Sequence, residues 1–407
     1  MPHIRRAALA LMLLLAAACS AAGQTPQFAG LKNARTAKAQ LSAGTVYAWG
    51  AGASGQIGGG ATIDRDVPAK AGPVTAVAIA GGGAHSLLLD RSGGVWAWGW
   101  NAIGQLGLGT TTGPQRCPFS KPRTACSTVF ARVPGLNAIA AVAAGDEHSA
   151  ALAAGGTVWT WGNNQYGELG DGTVTTTGCN CIDSPVQANV PAAVTQISAG
   201  GRHTAALGSD GTVWTWGWNR YGQLGDGTTA DSDLPVLVNG VSASAISAGF
   251  YHTLAIGTDG NVYAWGRNTL GQLGNGTTHD SDLPVKVSGL SNAIEISAGG
   301  QFSMALLADG TLWTWGDNGY GELGVGSSKP MSTVPVQLSG IAGVKAIAAG
   351  HKHAAAVDAS GSIWAWGQNA DGELGDGTTT GSNVPVRSRL HGASMLGAGD
   401  QFTIALH

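Results

Sequence analysis

The chain repeats one phrase seven times: Trp-Gly, a short variable stretch, then Gly-Gln/Glu-Leu/Ile-Gly. Its tryptophan falls at Trp49, Trp98, Trp161, Trp216, Trp265, Trp315 and Trp366, at intervals of 49, 63, 55, 49, 50 and 51 residues. A period of about 50 residues belongs to propeller- and kelch-type arrays, where each unit is one small antiparallel sheet. Helical repeats of similar length would need long stretches at helical period, and none follows residue 41.

A representative unit runs from Ile197 to Leu207 and then from Asp210 through Trp214 and Trp216 to Gly217. Asp210-Gly211 between two β-rich runs marks a hairpin, because glycine accepts the positive φ of a tight turn. Trp214 and Trp216 lie two apart and share one strand face; Val213 and Thr215 take the other. Both faces are largely apolar, which suits a sheet packed between two others. Charged residues are 11% of the chain, against roughly 25% in an average soluble domain. The 66 glycines fall at fixed places in the unit, as turns and close backbone approaches require.

The final run, Gly399 to Leu406, is the first half of a repeat, and Gly44 to Gly50 is the second half. Joined, they complete one blade and leave no sheet edge open at the seam. The expected fold is all-β: a seven-bladed β-propeller of four-stranded antiparallel blades over residues 42–407. Its ring is closed by pairing N- and C-terminal half-repeats.

These units resemble the repeats of the regulator of chromosome condensation family. The resemblance rests on the Ala-Gly-x-x-His-Ser/Thr-x-Ala-Leu run (Ala144 to Leu152 and its counterparts). It rests also on Gly-x-Val-Trp-x-Trp-Gly-x-Asn-x-x-Gly-Gln-Leu-Gly (Gly211 to Gly225), and it covers residues 42–407. It implies the same seven-bladed propeller. The family's eukaryotic founder exchanges nucleotide on a small nuclear GTPase and docks on chromatin, and a secreted bacterial β-lactamase inhibitor looks like the same fold. Function therefore does not follow from the fold, and no segment matching the exchanger's long protruding wedge is visible.

Residues 1–18 have the form of a secretory signal, with Arg5-Arg6 followed by an apolar stretch from Ala7 to Ala18, too short for a membrane span. The stretch ends Leu15-Ala-Ala-Ala-Cys19-Ser20. That resembles a bacterial lipoprotein signal with Cys19 as the lipidated residue, although its leucine stands four residues before the cysteine instead of three. The bland alternative is ordinary cleavage after Ala18 or near Ala22. Residues 19–41 are expected to be a tether. The expected location is the cell envelope, lipid-anchored or periplasmic/extracellular, with membrane contact only through the anchor.

Removing Arg5, Arg6, Lys32, Arg35 and Lys38 from 21 basic residues leaves 16 against 24 acidic ones, a net −8 for the propeller. Such a domain is a poor nucleic-acid binder without a concentrated basic face. The one candidate patch is Arg116, Lys121, Arg123 and Arg132, more simply a solvated or partner-facing loop.

Histidine follows the Ala/Gly-Gly step at His85, His148, His203, His252 and His353, with Phe302 and Phe402 in the other two units. Equivalent positions on neighbouring blades lie about one sheet spacing apart, ~10 Å, whereas metal–nitrogen bonds are ~2 Å. A shared metal is therefore not expected; these should be buried histidines that bond turn backbone. The acid-rich turn Gly225 to Asp233, nearly copied at Gly274 to Asp282, lacks calcium-loop spacing and reads as turn chemistry.

Four cysteines remain after Cys19: Cys117 and Cys126 in the long second unit, Cys179 and Cys181 in the next. In an exported chain they read as disulfides. A Cys179–Cys181 ring looks cramped, so two cross-blade bridges are expected rather than Cys117–Cys126 alone. No cofactor is implied and no catalytic residue stands out, since serines and histidines recur as parts of the repeat.

Positions that vary between units are free to serve function. Between the step glycine and the His/Phe they are Gly83-Ala84, Asp146-Glu147, Gly201-Arg202, Phe250-Tyr251, Gly300-Gln301, His351-Lys352 and Asp400-Gln401. They should ring one end of the propeller, where the innermost strand of each blade begins. Twelve of 14 tryptophans occupy the repeated positions, but Trp100 and Trp218 do not. Off-register tryptophans are either interface anchors or packed under neighbouring loops.

The expected function is a non-catalytic, exported protein-binding propeller, monomeric, with an unidentified protein partner. One alternative is nucleotide exchange or chromatin docking. Another is a hydrolase- or lyase-type site in the central mouth, which a tight cluster of Asp146, Glu147, Arg202, His351 and Lys352 would favour.

Overall fold

The computed structural model describes residues 43–118 and 124–407, with the backbone alone of residues 34–35. The signal, Cys19, most of the tether, and Lys121 and Arg123 of the basic patch lie outside the described residues.

Seven antiparallel sheets make up the ring, without a helix among the described residues. Blade one joins Met395–Ala398 and Phe402–Leu406 to Gly44–Gly50 and Arg65–Ala76. Blades two to seven follow in chain order. Their innermost strands are Ala78–Gly81, Ile139–Ala144, Val194–Ala199, Ala243–Ala248, Ala293–Ala298 and Val344–Ala349. Two blades carry a short fifth strand. Gln115–Cys117 extends blade two outward, and Ala34–Arg35 pairs with Gln196 and Ile197 on the inner edge of blade four.

Closure is as expected. Gly44–Gly50 pairs along Phe402–Leu406, from Val46 opposite Leu406 to Gly50 opposite Phe402. The Thr45 amide donates to the His407 carbonyl at 2.7 Å and the His407 amide returns the bond at 2.9 Å. One correction concerns strand order. The histidine strand is second from the axis, not innermost. The variable pairs therefore follow the innermost strand, in the turn to the second, rather than preceding it.

The two halves of the repeated phrase meet across blades, not within one. The Trp216 indole of blade four donates to the carbonyl of Glu168, in the Gly-Glu-Leu-Gly turn of blade three. All seven refrain tryptophans do the same, at 2.7–2.9 Å, to Gln56, Gln105, Glu168, Gln223, Gln272, Glu322 or Glu373 of the preceding blade. Each indole is fully buried, and burying so large a ring stabilises by about 3–5 kcal/mol relative to alanine. The turn's last glycine is required by this contact. Gly170 sits at φ +69°, and a Cβ there would lie 2.6 Å from the Trp216 ring nitrogen.

The histidines belong to the same seams. Each Nε2 bonds a hydroxyl on the next blade: His85 to Ser149, His148 to Thr204, His203 to Thr253, His252 to Ser303 and His353 to Thr403, at 2.8–3.0 Å. Each hydroxyl donates in turn to the Gln/Glu carbonyl already bound by tryptophan. Because the hydroxyl's proton is thus committed, Nε2 must carry the imidazole proton. Burial lowers the pKa of His85 and His203 to about 3 and of His148 to about 4, so all three are neutral. The histidines are buried as expected but bond a neighbouring blade's hydroxyl instead of turn backbone. Where Phe302 replaces histidine, the next blade has Ala354 in place of the hydroxyl.

Candidate binding face

On one end of the ring, the first residue of each variable turn lies just after the innermost strand of its blade. In ring order from blade one these residues are Asp400, Gly83, Asp146, Gly201, Phe250, Gly300 and His351. Glycine alternates with a large side chain, and each of three large side chains occupies the space a Cβ on the preceding glycine would need. Asp146 lies against Gly83, the Phe250 ring lies 2.8 Å from the Cβ position of Gly201, and His351 lies against Gly300. An odd ring cannot alternate throughout, so two large residues become neighbours. These are His351 and Asp400, with Nδ1 3.9 Å from a carboxylate oxygen.

Four side chains therefore converge on the mouth. The ring of Phe250 stacks on His351, 4.9 Å between centroids at 20°. Asp146 hydrogen-bonds Asp400. Burial holds the Asp146 carboxyl well above the usual carboxylate range, and the Asp400 and Glu147 carboxylates push the same way against the pull of Arg202. The cavity that Asp146, Phe250 and Asp400 line measures about 10 Å³, the size of about one water. Asp146, Asp400 and His351 are the groups acid–base chemistry would use at this mouth.

The other candidates spread outward. Glu147 pairs with Arg202 at 3.8 Å and accepts a bond from Asn163 at 2.6 Å. Lys352 turns away to stand 4.4 Å over the Tyr320 ring. Gln301 and Gln401 line the ring, and their carbonyls accept the amides of Asp317 and Ala51. Trp100 lies apart in blade two, where its backbone pairs with Cys126. The five groups proposed for an enzymatic mouth are thus not one tight cluster.

Trp218 and Tyr251 belong to an aromatic ridge that crosses blades three to five. Trp218 lies 5.9 Å from Tyr166, 5.4 Å from Tyr221 and 6.0 Å from Tyr251, and Tyr251 continues to Phe250 at 4.6 Å. Arg267 sits over both Tyr221 and Tyr251, at 4.9 and 5.1 Å, and Arg202 over Tyr166 at 5.5 Å. Such cation–π contacts hold the guanidiniums while leaving their edges available. Tyr166, Tyr221 and Arg267 were missed as candidates. The tyrosines belong to another variable column, the residue before the second refrain glycine: Ser54, Ile103, Tyr166, Tyr221, Leu270, Tyr320 and Asp371; Arg267 occupies the column of Trp100 and Trp218.

The cysteine expectation is overturned. The disulfides are Cys117–Cys126 and Cys179–Cys181, both within a blade, with Cα separations of 5.8 and 5.1 Å. The first staples the hairpin of Gln115–Cys117 on Thr124–Arg132. The second closes because Asn180 adopts φ +55°, a conformation asparagine tolerates better than most residues.

Residues 45–405 match the family model of the RCC1-like domain. The chain belongs to that family. It is 34% identical over 208 residues to the Ultraviolet-B receptor UVR8 of Arabidopsis thaliana, covering 49% of this chain and 43% of that one. It is 32% identical over 206 residues to the human E3 ubiquitin-protein ligase HERC2, covering 49% of this chain and 4% of that one. The chain spans less than half the length of these curated relatives. Among solved structures, Prp20p of Saccharomyces cerevisiae superposes with a TM-score of 0.77 at 24% identity, covering 90% of this chain and 92% of that one. Human WBSCR16 superposes with a TM-score of 0.77 at 23% identity, covering 89% and 99%. At these identities the superpositions speak for the fold.

Proposed function

We propose that this RCC1-like propeller binds another protein through the face that carries the mouth and the aromatic ridge, without catalysis. One observation carries the reading. Residues that the repeat does not require converge on a single face as large, partly exposed aromatics flanked by arginines, the composition of interface hot spots. The description of Prp20p as binding Gsp1p and histones shows a protein of the same fold used for protein partners. Ligase activity belongs to chains of which this one covers 4–18%.

Trp218→Ala and Tyr221→Ala test the reading in a pull-down from cell-envelope extract. Partner recovery should fall about tenfold or more, the size expected of hot-spot truncation, with the thermal midpoint within a few degrees of wild type. Undiminished recovery with both variants would sink the proposed face.

The place of action in this proposal is the cell envelope, after export and with lipid on Cys19. Its support is the signal-like start of the sequence and the two disulfides, which persist in oxidising compartments. Metabolic labelling with a lipid analogue should mark the wild type and spare Cys19→Ala; label on both would reject the anchor.

A further inference from the structure

The two disulfides sit in opposite surroundings. Cys117 and Cys126 are fully buried, and the backbone at Gly113 lies so close that a side chain there would strike the Cys126 backbone. Among the described residues neither sulfur is open to an incoming thiolate. Cys179 and Cys181 are partly exposed, in the turn that enters Cys181–Gln187. Beside them, a Cβ on Gly178 would meet nothing within 4 Å.

Their contributions to the fold differ as well. A bridge between positions nine residues apart removes more unfolded-chain entropy than one between positions two apart. The shorter bridge closes over a single residue, Asn180, at φ +55°, so it constrains only one turn of the chain. Accessible bridges are the ones that exchange with thiols.

We propose that Cys179–Cys181 is an exchange-active disulfide whose substrate is a protein dithiol, and that Cys117–Cys126 is a structural bridge. A substrate thiolate attacks one sulfur of the pair, forming a mixed disulfide and expelling the other sulfur as a thiolate. The substrate's second thiolate then attacks its own sulfur in the mixed disulfide and expels the remaining cysteine. The substrate ends as a disulfide, having lost two electrons, and Cys179 and Cys181 end as thiols that take up its two protons. One chain thus oxidises one dithiol. The turn leaves the third strand of blade three, Val158–Asn163, at the same end of the ring as the mouth, but the exchange does not depend on the binding reading.

The test uses the purified chain and an equimolar synthetic Cys-x-x-Cys peptide dithiol, without oxygen and with a metal chelator. Acid quenching, alkylation and peptide mapping follow. About one peptide per chain should become oxidised, with alkylation appearing at Cys179 and Cys181 and not at Cys117 or Cys126. In a dithiothreitol redox series the first pair should open at a reduced-to-oxidised ratio at least about tenfold lower than the second, in line with the difference between exposed and buried bridges. The double variant Cys179→Ser/Cys181→Ser should keep the wild-type circular dichroism and melting profile and lose the transfer. A peptide that stays reduced, two pairs that open together, or transfer that survives in the double variant would each overturn the proposal.

Discussion

Trp216 and Trp218 are two residues apart and have opposite fates. Trp216 is fully buried and its indole is bonded to the Glu168 carbonyl of the neighbouring blade. Trp218 stands partly exposed among Tyr166, Tyr221 and Tyr251. His353 and His351 repeat the contrast, one bonded to Thr403 in a seam and the other stacked on Phe250 at the mouth. Residue type therefore does not mark function here. Position in the repeat does: columns that recur hold blades together, and columns that vary face outward at one end.

The largest way to break the comparison is to remove a seam altogether. Deleting residues 395–407 takes both inner strands from blade one and exposes the edge of Gly44–Gly50. The product should aggregate or fail to give a cooperative melt, whereas a soluble, stable monomer would show that closure is dispensable. Next in size is the tryptophan pair itself. Trp216→Ala should cost about 3–5 kcal/mol, and Trp218→Ala at most about 1 kcal/mol, as for surface changes. Equal costs in urea melts would erase the division between seam and face.

Much of this division was legible beforehand, and the failures have physical causes. The period near 50 residues marked the blades, because hydrophobic columns recur wherever a sheet is packed on both sides, and the half-repeats at Gly44–Gly50 and Gly399–Leu406 marked the closure. That Trp216 and Glu168 belong to neighbouring blades was not legible, because a repeated phrase is silent on whether its halves meet within a unit or between units. The variable ring was found, but the alternation that packs Asp146, Phe250 and His351 against three glycines depends on side-chain direction. Tyr166 and Tyr221 escaped because the column before the second refrain glycine was not among those considered. The disulfide pairing failed at one residue, Asn180, whose positive φ makes room for a ring that looked too small.

Proton linkage separates the seams from the face more finely. Burial raises the Glu168 carboxyl to about 7, and Glu322 and Glu373 likewise. The ordinary value is 4.5, so the folded chain holds this proton more tightly than the unfolded one. Stability from each group is complete below about 4.5, falls as pH rises through about 7, and is constant above. Gln105, Gln223 and Gln272 fill the same place without a charge. Glu168→Gln should therefore stabilise by about 1–3 kcal/mol at pH 8 and change little at pH 4. A gain equal at both pH values would mean that the carboxyl is not the cause.

The smallest effect isolates one seam bond. Blades six and seven lack both members of the histidine–hydroxyl pair, having Phe302 and Ala354. Phe302→His puts a buried N–H where Ala354 offers it no acceptor, at a cost of about 1–3 kcal/mol. Adding Ala354→Thr supplies the hydroxyl that faces histidine in five of the other six seams, and that hydroxyl can donate onward to the Glu322 carbonyl to which Trp366 donates. The double variant should recover about 1 kcal/mol or more of the loss. If the two changes simply add, histidine and hydroxyl are not coupled. The five recurring histidines would then hold their place by shape, as Phe302 and Phe402 do, and not by the bond across the seam.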